Sequence, residues 1–496
     1  MRFSRGTLPG LSICPALTAG ILLIASCLPA AAQGIRGEFR VGASAIDFRT
    51  VERDSFPESE VPGDGITRRL PDGSLVTCVP GGYCYRYRSG TLQTASPMTQ
   101  DLNLTAWPGW RGVQARTHLR GRFGSDDLWP RSDQELAVLD LSVDFDRDDF
   151  RLRAGRQDHH GGLGAIHFDG GSILWKGPST LRLTAFGGRS LGRGLDAPYS
   201  GSLLAEADNI ANELGAVLIG FEGRVRPTST LSTSLLYQRE IRTDRASLYS
   251  ERMALDAGWQ AGRSRAEFSG DLDVASLVIN DLRLLLGRSI TPGLDLAIEA
   301  RHSSPFFELW TIWGAFTPVG FDQLRLSGSY RASAVLTFDA TAAYRDYRDT
   351  ETGIGLAPIE GDAFRSHLGG GFHQGGWSAS ATAGVDHGFG AYRGQFDLAL
   401  DRSFGPRTAF GLHALGTEQF TEFRFGEGTT HGVGFVGRHG AGAVDVTAQL
   451  ARFRHTFHNR PGYEDYDQWR GTLALKVRFG SDPIALTNQA GGATRS

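Results

Sequence analysis

From Gln134 to Asp146 the chain reads QELAVLDLSVDFD, and two residue sets interleave along it. Leu139, Leu141, Val143 and Phe145 fall on one side of an extended strand; Asp140, Ser142, Asp144 and Asp146 fall on the other. The alternation recurs further on. Met253, Leu255, Ala257 and Trp259 oppose Arg252, Asp256 and Gln260, and Leu294, Leu296 and Ile298 oppose Asp295, Glu299 and Arg301. Leu336, Phe338, Ala340, Ala342 and Tyr344 oppose Thr337, Asp339, Thr341 and Arg345. Period-two segments of about ten residues, separated by turn residues, predict an all-β transmembrane barrel with one face to lipid and one to water.

The pattern predicts about 22 antiparallel up-and-down strands, within a range of about 18–24. The connections supply an internal check, because such barrels alternate short periplasmic turns with longer external loops. With a first strand over 35–48 rising from the periplasm, the stretch 49–98 is a long external excursion. A later rising strand is read over 150–157, ending at Gln157, and the loop that follows it is read as external. Short turns then fall at 176–179, 226–229, 261–264, 291–293, 331–334, 374–376, 403–407 and 438–442. Longer connections fall at 189–212, 302–320, 349–362 and 458–466. Trp107, Trp175, Trp259, Trp377 and Trp469 sit beside predicted turns, where an interfacial girdle belongs. A soluble β-sandwich also alternates, but needs neither this parity nor the girdle.

The ends agree with export. Met1–Ala32 has Arg2 and Arg5, an apolar stretch through Ile21–Ile24, and Ala30-Ala31-Ala32 before Gln33, as a cleaved signal does. Ile24-Ala25-Ser26-Cys27 offers a competing lipoprotein reading. The barrel is then expected over 33–480, with a polar periplasmic tail over 481–496. The last strand closes on Phe479 and resembles the assembly signal of outer-membrane proteins, apart from that tail. No run of eighteen apolar residues follows the signal, so no helical span is predicted. A mean hydropathy of −0.22 suits a barrel, half of whose strand residues face water. The net charge of −3 argues against nucleic acid. Cys78 and Cys84 flank Val79-Pro80-Gly81-Gly82 and predict a small disulfide-closed hairpin in an oxidising compartment. No Cys-x-x-Cys-His is present, so no covalent haem is expected.

A barrel of this size leaves a lumen that is open or plugged. With no plug predicted ahead of the first strand, a constriction has to come from inward-folded loops or a separate protein. Arg151, Arg153, Arg182, Arg224, Arg283 and Arg301 are predicted to face Asp140, Asp144, Asp256, Asp271, Asp273 and Asp339 across the water-filled interior. Mixed charge of this kind suits polar solutes. Gly155-Arg156-Gln157, followed by Phe168-Asp169-Gly170, resembles a motif of alginate-export-type porins. The resemblance implies barrel kinship, and carried over it puts Arg156 in the pore as a fixed positive charge for carboxylates; pairing of Arg156 with a wall aspartate is the competing reading. The intervening His159, His160 and His167, with Asp158 and Asp169, are a candidate zinc or copper cluster, weighed against simple solvation. No cofactor is otherwise implied. The stretch 302–321 concentrates Phe306, Phe307, Trp310, Trp313 and Phe316, an aromatic loop that folds inward, stacks a ring-shaped ligand or meets lipid and lipopolysaccharide.

Three functions follow. The first is a Gram-negative outer-membrane channel for polar or anionic small solutes. The second is a scaffold barrel sheathing a separate protein such as a multihaem cytochrome, as porin–cytochrome conduits do. The third is an outer-membrane enzyme using Asp158 and His160, which lacks a serine nucleophile signature.

Overall fold

The computed structural model describes residues 34–79, 81–124, 136–178, 180–193, 216–243, 248–304, 320–348, 361–388, 391–422, 427–458 and 462–480. The predicted signal, the polar tail and the whole aromatic set Phe306, Phe307, Trp310, Trp313 and Phe316 lie outside them.

The wall is a closed antiparallel barrel of 22 strands. Closure is made by the strand Gly34–Pro57, which pairs with the last strand Tyr466–Gly480 from Arg36↔Gly480 to Ile46↔Arg470. Its other edge pairs with Met98–Trp107. Every strand therefore has two neighbours and the wall has no open edge, which in lipid would leave backbone groups unsatisfied. The predicted turns are found between strands ending at Lys176, Val225, Ala261, Thr291, Arg331, Gln374, Phe404 and Ala441 and their successors. Alternation survives where it meets lipid. On Leu136–Asp146, Leu141 and Val143 are exposed while Ser142 and Asp144 are buried. Trp175, Trp259 and Trp377 stand exposed at the periplasmic end of their strands, and Trp469 at the external end.

The structure corrects three details. Leu139 does not continue the outward row. A register shift opposite His118 and Leu119 makes it the extra residue of a bulge, and Leu136 and Val138 take the outward positions above it. The excursion 49–98 is largely strand. The first strand runs on to Pro57 and pairs with Tyr83–Ala95, forming a ribbon above the wall. Finally, the strand read as ending at Gln157 continues to Gly161 and pairs through Gly161↔Gly164 with the next strand. The histidines therefore lie on strands, not in a loop.

The ribbon ends in a small folded unit. The Cys78–Cys84 disulfide is formed, and both cysteines are buried with Val61 and Val76, with Phe56 and Leu70 packed against them. Glu58 accepts the Gly81 amide (2.6 Å) and an Arg68 guanidinium. The amide first, then Arg68, hold its carboxyl below the ordinary range. Asp72 is lowered likewise, by Ser74 and then Arg86. Depressed carboxyls contribute stability that is present above their unfolded values and lost as pH falls through the folded ones. Hydrogen exchange over 58–82, corrected for intrinsic rate, should therefore accelerate as pH drops below about 4. Equal protection at pH 6 and pH 3 would disprove it.

Candidate pore constriction

The wet face of the wall is built from cross-strand ion pairs, because strand alternation brings opposed charges face to face. Asp144 is fully buried and receives Arg153 Nε at 2.5 Å, Gln114 Nε2 at 2.7 Å and Arg116 Nε at 3.2 Å. Asp146 takes Arg151 and Lys176. Glu299 takes Arg283 at 2.7 Å and Arg325 at 3.3 Å. Arg301 pairs with Asp281 and Arg252 with Asp271. Asp339 lies 3.4 Å from His367. Asp140 accepts Ser142 Oγ at 2.7 Å. Asp256 accepts Ser234 Oγ at 3.2 Å, and Asp273 the Ala275 amide at 2.9 Å.

One external connection does not stay outside. The strands Phe150–Gly161 and Gly164–Lys176 curl into the lumen above a row of glycines. Gly155 pairs with Gly170, and Gly170 with Gly188. Gly155 has φ +120°, a conformation that side chains with a Cβ rarely adopt. A Cβ on Gly170 would lie 2.1 Å from the Gly187 carbonyl oxygen, and one on Gly188 2.2 Å from that of Asp169. Three backbones approach here closely enough only without side chains, and the sheet bends sharply. Beyond the bend the hairpin leaves its earlier neighbour, whose pairing stops at Leu141↔Arg156.

The hairpin comes to rest against the inner wall. Ile166 and Phe168 pack with Phe186, Leu218, Leu236 and Ala254, all almost fully buried, and Leu163 at the tip joins them. Leu218 alternates with the exposed Val217 and Ile219, and Leu236 with the exposed Leu235, so this apolar patch is on the lumen side. Burying Ile166 and Phe168 favours the inward position by roughly 1.5–3 kcal/mol per side chain. The tip fits tightly. A Cβ on Gly162 would lie 2.7 Å from Ala254 Cβ and 2.5 Å from Asp256 Oδ2.

Polar contacts fix the register of docking. His159 stacks on Phe186 with centroids 4.3 Å apart, and its Nε2 lies 3.3 Å from an oxygen of the buried Glu222. The approach is close, but its angle is not that of a hydrogen bond. Arg224 joins the two parts, donating from Nε to Glu222 at 2.7 Å and from an NH2 group to the His160 carbonyl at 3.1 Å.

Several predicted site residues fall within this arrangement. Arg156 is on the hairpin but is not an isolated charge: it grips Asp169 through two bonds of 2.7 and 2.8 Å and donates to the Val138 carbonyl at 2.9 Å. The last bond satisfies a backbone group that the departing hairpin leaves without a strand partner. Arg182 lies between Lys176 and Arg224 on adjacent strands and has no carboxylate partner among the described residues. The three histidines do not converge. Alternation turns His159 to the packed side, whereas Asp158, its bonded partner His160 and its cross-strand neighbour His167 lie on the other. Among the described residues no group of three metal-ligating side chains forms.

The sequence reading missed the docking wall: Phe186, Leu218, Glu222, Leu236 and Ala254. A signal was present. These are neighbouring positions on the water-facing side, and four of the five are apolar.

No family model matches the chain, and neither does any curated protein. Solved structures do align with it. OccAB4 of Acinetobacter baumannii aligns over 90% of this chain and 98% of its own, at 8% identity and TM-score 0.41. OccK3 (OpdO) of Pseudomonas aeruginosa aligns over 92% and 99%, at 10% identity and TM-score 0.39. A bacterial polysaccharide outer membrane secretin aligns over 60% and 97%, at 10% identity and TM-score 0.31. Likenesses this distant carry no functional argument, so the reading of the site rests on the chain's own geometry.

Proposed function

We propose that this protein is an outer-membrane channel for small polar solutes, biased toward anions, with an aperture set by the inward hairpin. One observation supports this reading above the others: a closed barrel with an apolar exterior and an ionic interior is entered by its own chain, which is held there by a dedicated apolar patch. Ion pairs around a wet passage favour hydrated solutes, and an inward segment limits their size.

The anion bias rests on Arg182. A recess of about 470 Å³ beside the hairpin tip is lined by Arg182, Arg224 and Arg226, with Thr180, Ser232, Ser234 and Asp256. Arg224 is committed to Glu222, which leaves Arg182, on the lumen side of its strand, and Arg226, beside the periplasmic turn, as the cations of the recess without a carboxylate partner among the described residues. Arg182→Gln should lower the anion-to-cation permeability ratio by about two- to threefold, read from reversal potentials across a salt gradient in planar bilayers. An unchanged ratio would remove the anion bias. A folded protein that conducts no ions would remove the channel reading altogether.

The alternatives gain less. A sheath for a cytochrome needs a lumen clear of its own chain, and a lodged hairpin works against that. A catalytic use of Asp158 and His160 needs a nucleophile, and no described hydrogen bond brings a serine to His160.

A further inference from the structure

The ribbon of the upper first strand and Tyr83–Ala95 rises above the lipid-facing wall. From Ile46 to Pro57 it climbs roughly 35 Å at about 3.3 Å per residue. Its two faces carry different chemistry. On one, Glu52 and Asp54 pair with Arg88, Asp54 and Asp72 with Arg86, and Glu58 with Arg68.

The opposite face is continuous with the lipid-facing side of the same strand. Phe39, Val41 and Ala43 share their side with Arg53 and Ser55, because the register shift near Val51 puts its extra residue on the returning strand. Arg53 is opposite Tyr87, and Ser55 opposite Tyr85. Thr77 lies beyond Tyr85, and Leu75 is opposite Arg69. Tyr83, Tyr87 and Leu75 are each more than half exposed, at 52%, 52% and 56%. The Arg53 guanidinium lies 4.8 Å over the Tyr85 ring. Arg69 donates to the Gly73 carbonyl at 3.0 Å. None of these strand positions is a carboxylate, and neither Arg53 nor Arg69 has a carboxylate partner among the described residues.

We propose that this face binds the phosphorylated sugar headgroup of the outer-leaflet glycolipid, lipopolysaccharide. The sorting of charge points to an anion: above Asp47, which shares this face at the barrel rim, the acids of the two long strands, Glu52 and Asp54, lie on the other side and are paired with Arg88 and Arg86. Arginine presents a fork that matches phosphate oxygens. Tyrosines with exposed rings and wet hydroxyls suit the boundary between acyl chains and sugars. Continuity with the lipid-facing wall places a lipid-linked ligand, rather than a free one, against it. The proposal concerns the outside of the molecule and stands apart from what passes through the lumen.

Fluorescence anisotropy of labelled lipopolysaccharide with the full-length protein in detergent tests it. Arg53→Gln with Arg69→Gln should weaken binding about tenfold and flatten its dependence on salt. The same pair should leave binding of dephosphorylated lipopolysaccharide unchanged. Tyr83→Ala with Tyr87→Ala should weaken both ligands by about threefold. Arg88→Gln, on the opposite face, should change neither. Native-like conductance of each variant verifies folding and keeps this test separate from the channel reading. Undiminished binding by the double arginine variant would overturn the proposal. So would native binding of dephosphorylated lipopolysaccharide as tightly as the phosphorylated form. Equal binding of free core oligosaccharide would overturn the lipid assignment and move the site to soluble glycans.

Discussion

Deleting residues 158–165 and joining the shortened strands with a two-residue turn should raise single-channel conductance by about twofold or more. The segment removed contains Leu163, the tip glycines, the docked His159, and Asp158 and His160, whose side chains stand off the wall. It leaves the glycine row and the barrel pairing below Arg156 intact. A complementary variant holds the hairpin in place. Gly162→Cys with Ala254→Cys joins neighbouring positions: a Cβ on Gly162 would lie 2.7 Å from Ala254 Cβ, and the tip has to lift by about 1 Å to reach the roughly 3.5–4.5 Å that a disulfide spans. The oxidised pair should keep native conductance and suppress steps to higher levels; reduction should restore them. Glu222→Ala, which removes the carboxylate shared by His159 and Arg224, should make such steps more frequent. A deletion variant that folds and conducts like the native protein would show that the aperture lies elsewhere.

Arginine in place of Leu326 should destabilise the folded barrel by about 2–4 kcal/mol in urea titrations in phospholipid vesicles, the cost of a cation at mid-membrane on the lipid side. Leu326 is 57% exposed, midway along the strand Phe321–Arg331, with Leu324 beside it on the same face. Ser329→Arg is the matching control. It points the other way, between Asp295 and Asp339 on the adjoining strands, and should cost under about 1 kcal/mol. Leu141→Arg should behave like Leu326→Arg, since Leu141 is equally exposed. Its neighbour is a different matter. Alternation alone marks Ser142 as a tolerant position in the lumen. The structure makes it a poor one, because Ser142 is 3% exposed, bonded to Asp140 and pressed against the kink at Gly155. Equal tolerance of arginine at 326 and 329 would contradict the assignment of faces.

Much of the architecture is legible in the sequence. Leu141 and Val143 against Ser142 and Asp144, the eight short turns and the terminal tryptophans all follow from a wall with lipid on one side and water on the other. The bulge at Leu139 was not legible, because an extra residue changes no composition and only slightly disturbs the period. Nor was the pairing of Arg156 with Asp169. The two are thirteen residues apart, and their register depends on a hairpin turn at Gly162-Leu163 that the histidine-rich sequence disguised as a loop.

What the chain determined by itself was the wall: outside the bulge at Leu139, which residues point out and which point in, with about 22 crossings. Period two enforces that locally, strand by strand. Tertiary structure alone decided what the inward side would meet. Phe186, Leu218 and Leu236 face the lumen whether it holds water or protein. Only the bend over Gly155, Gly170 and Gly188 brings Ile166 and Phe168 down onto them. Alternation records the direction of a side chain, whereas its partner across the lumen is set by the long-range path of the backbone.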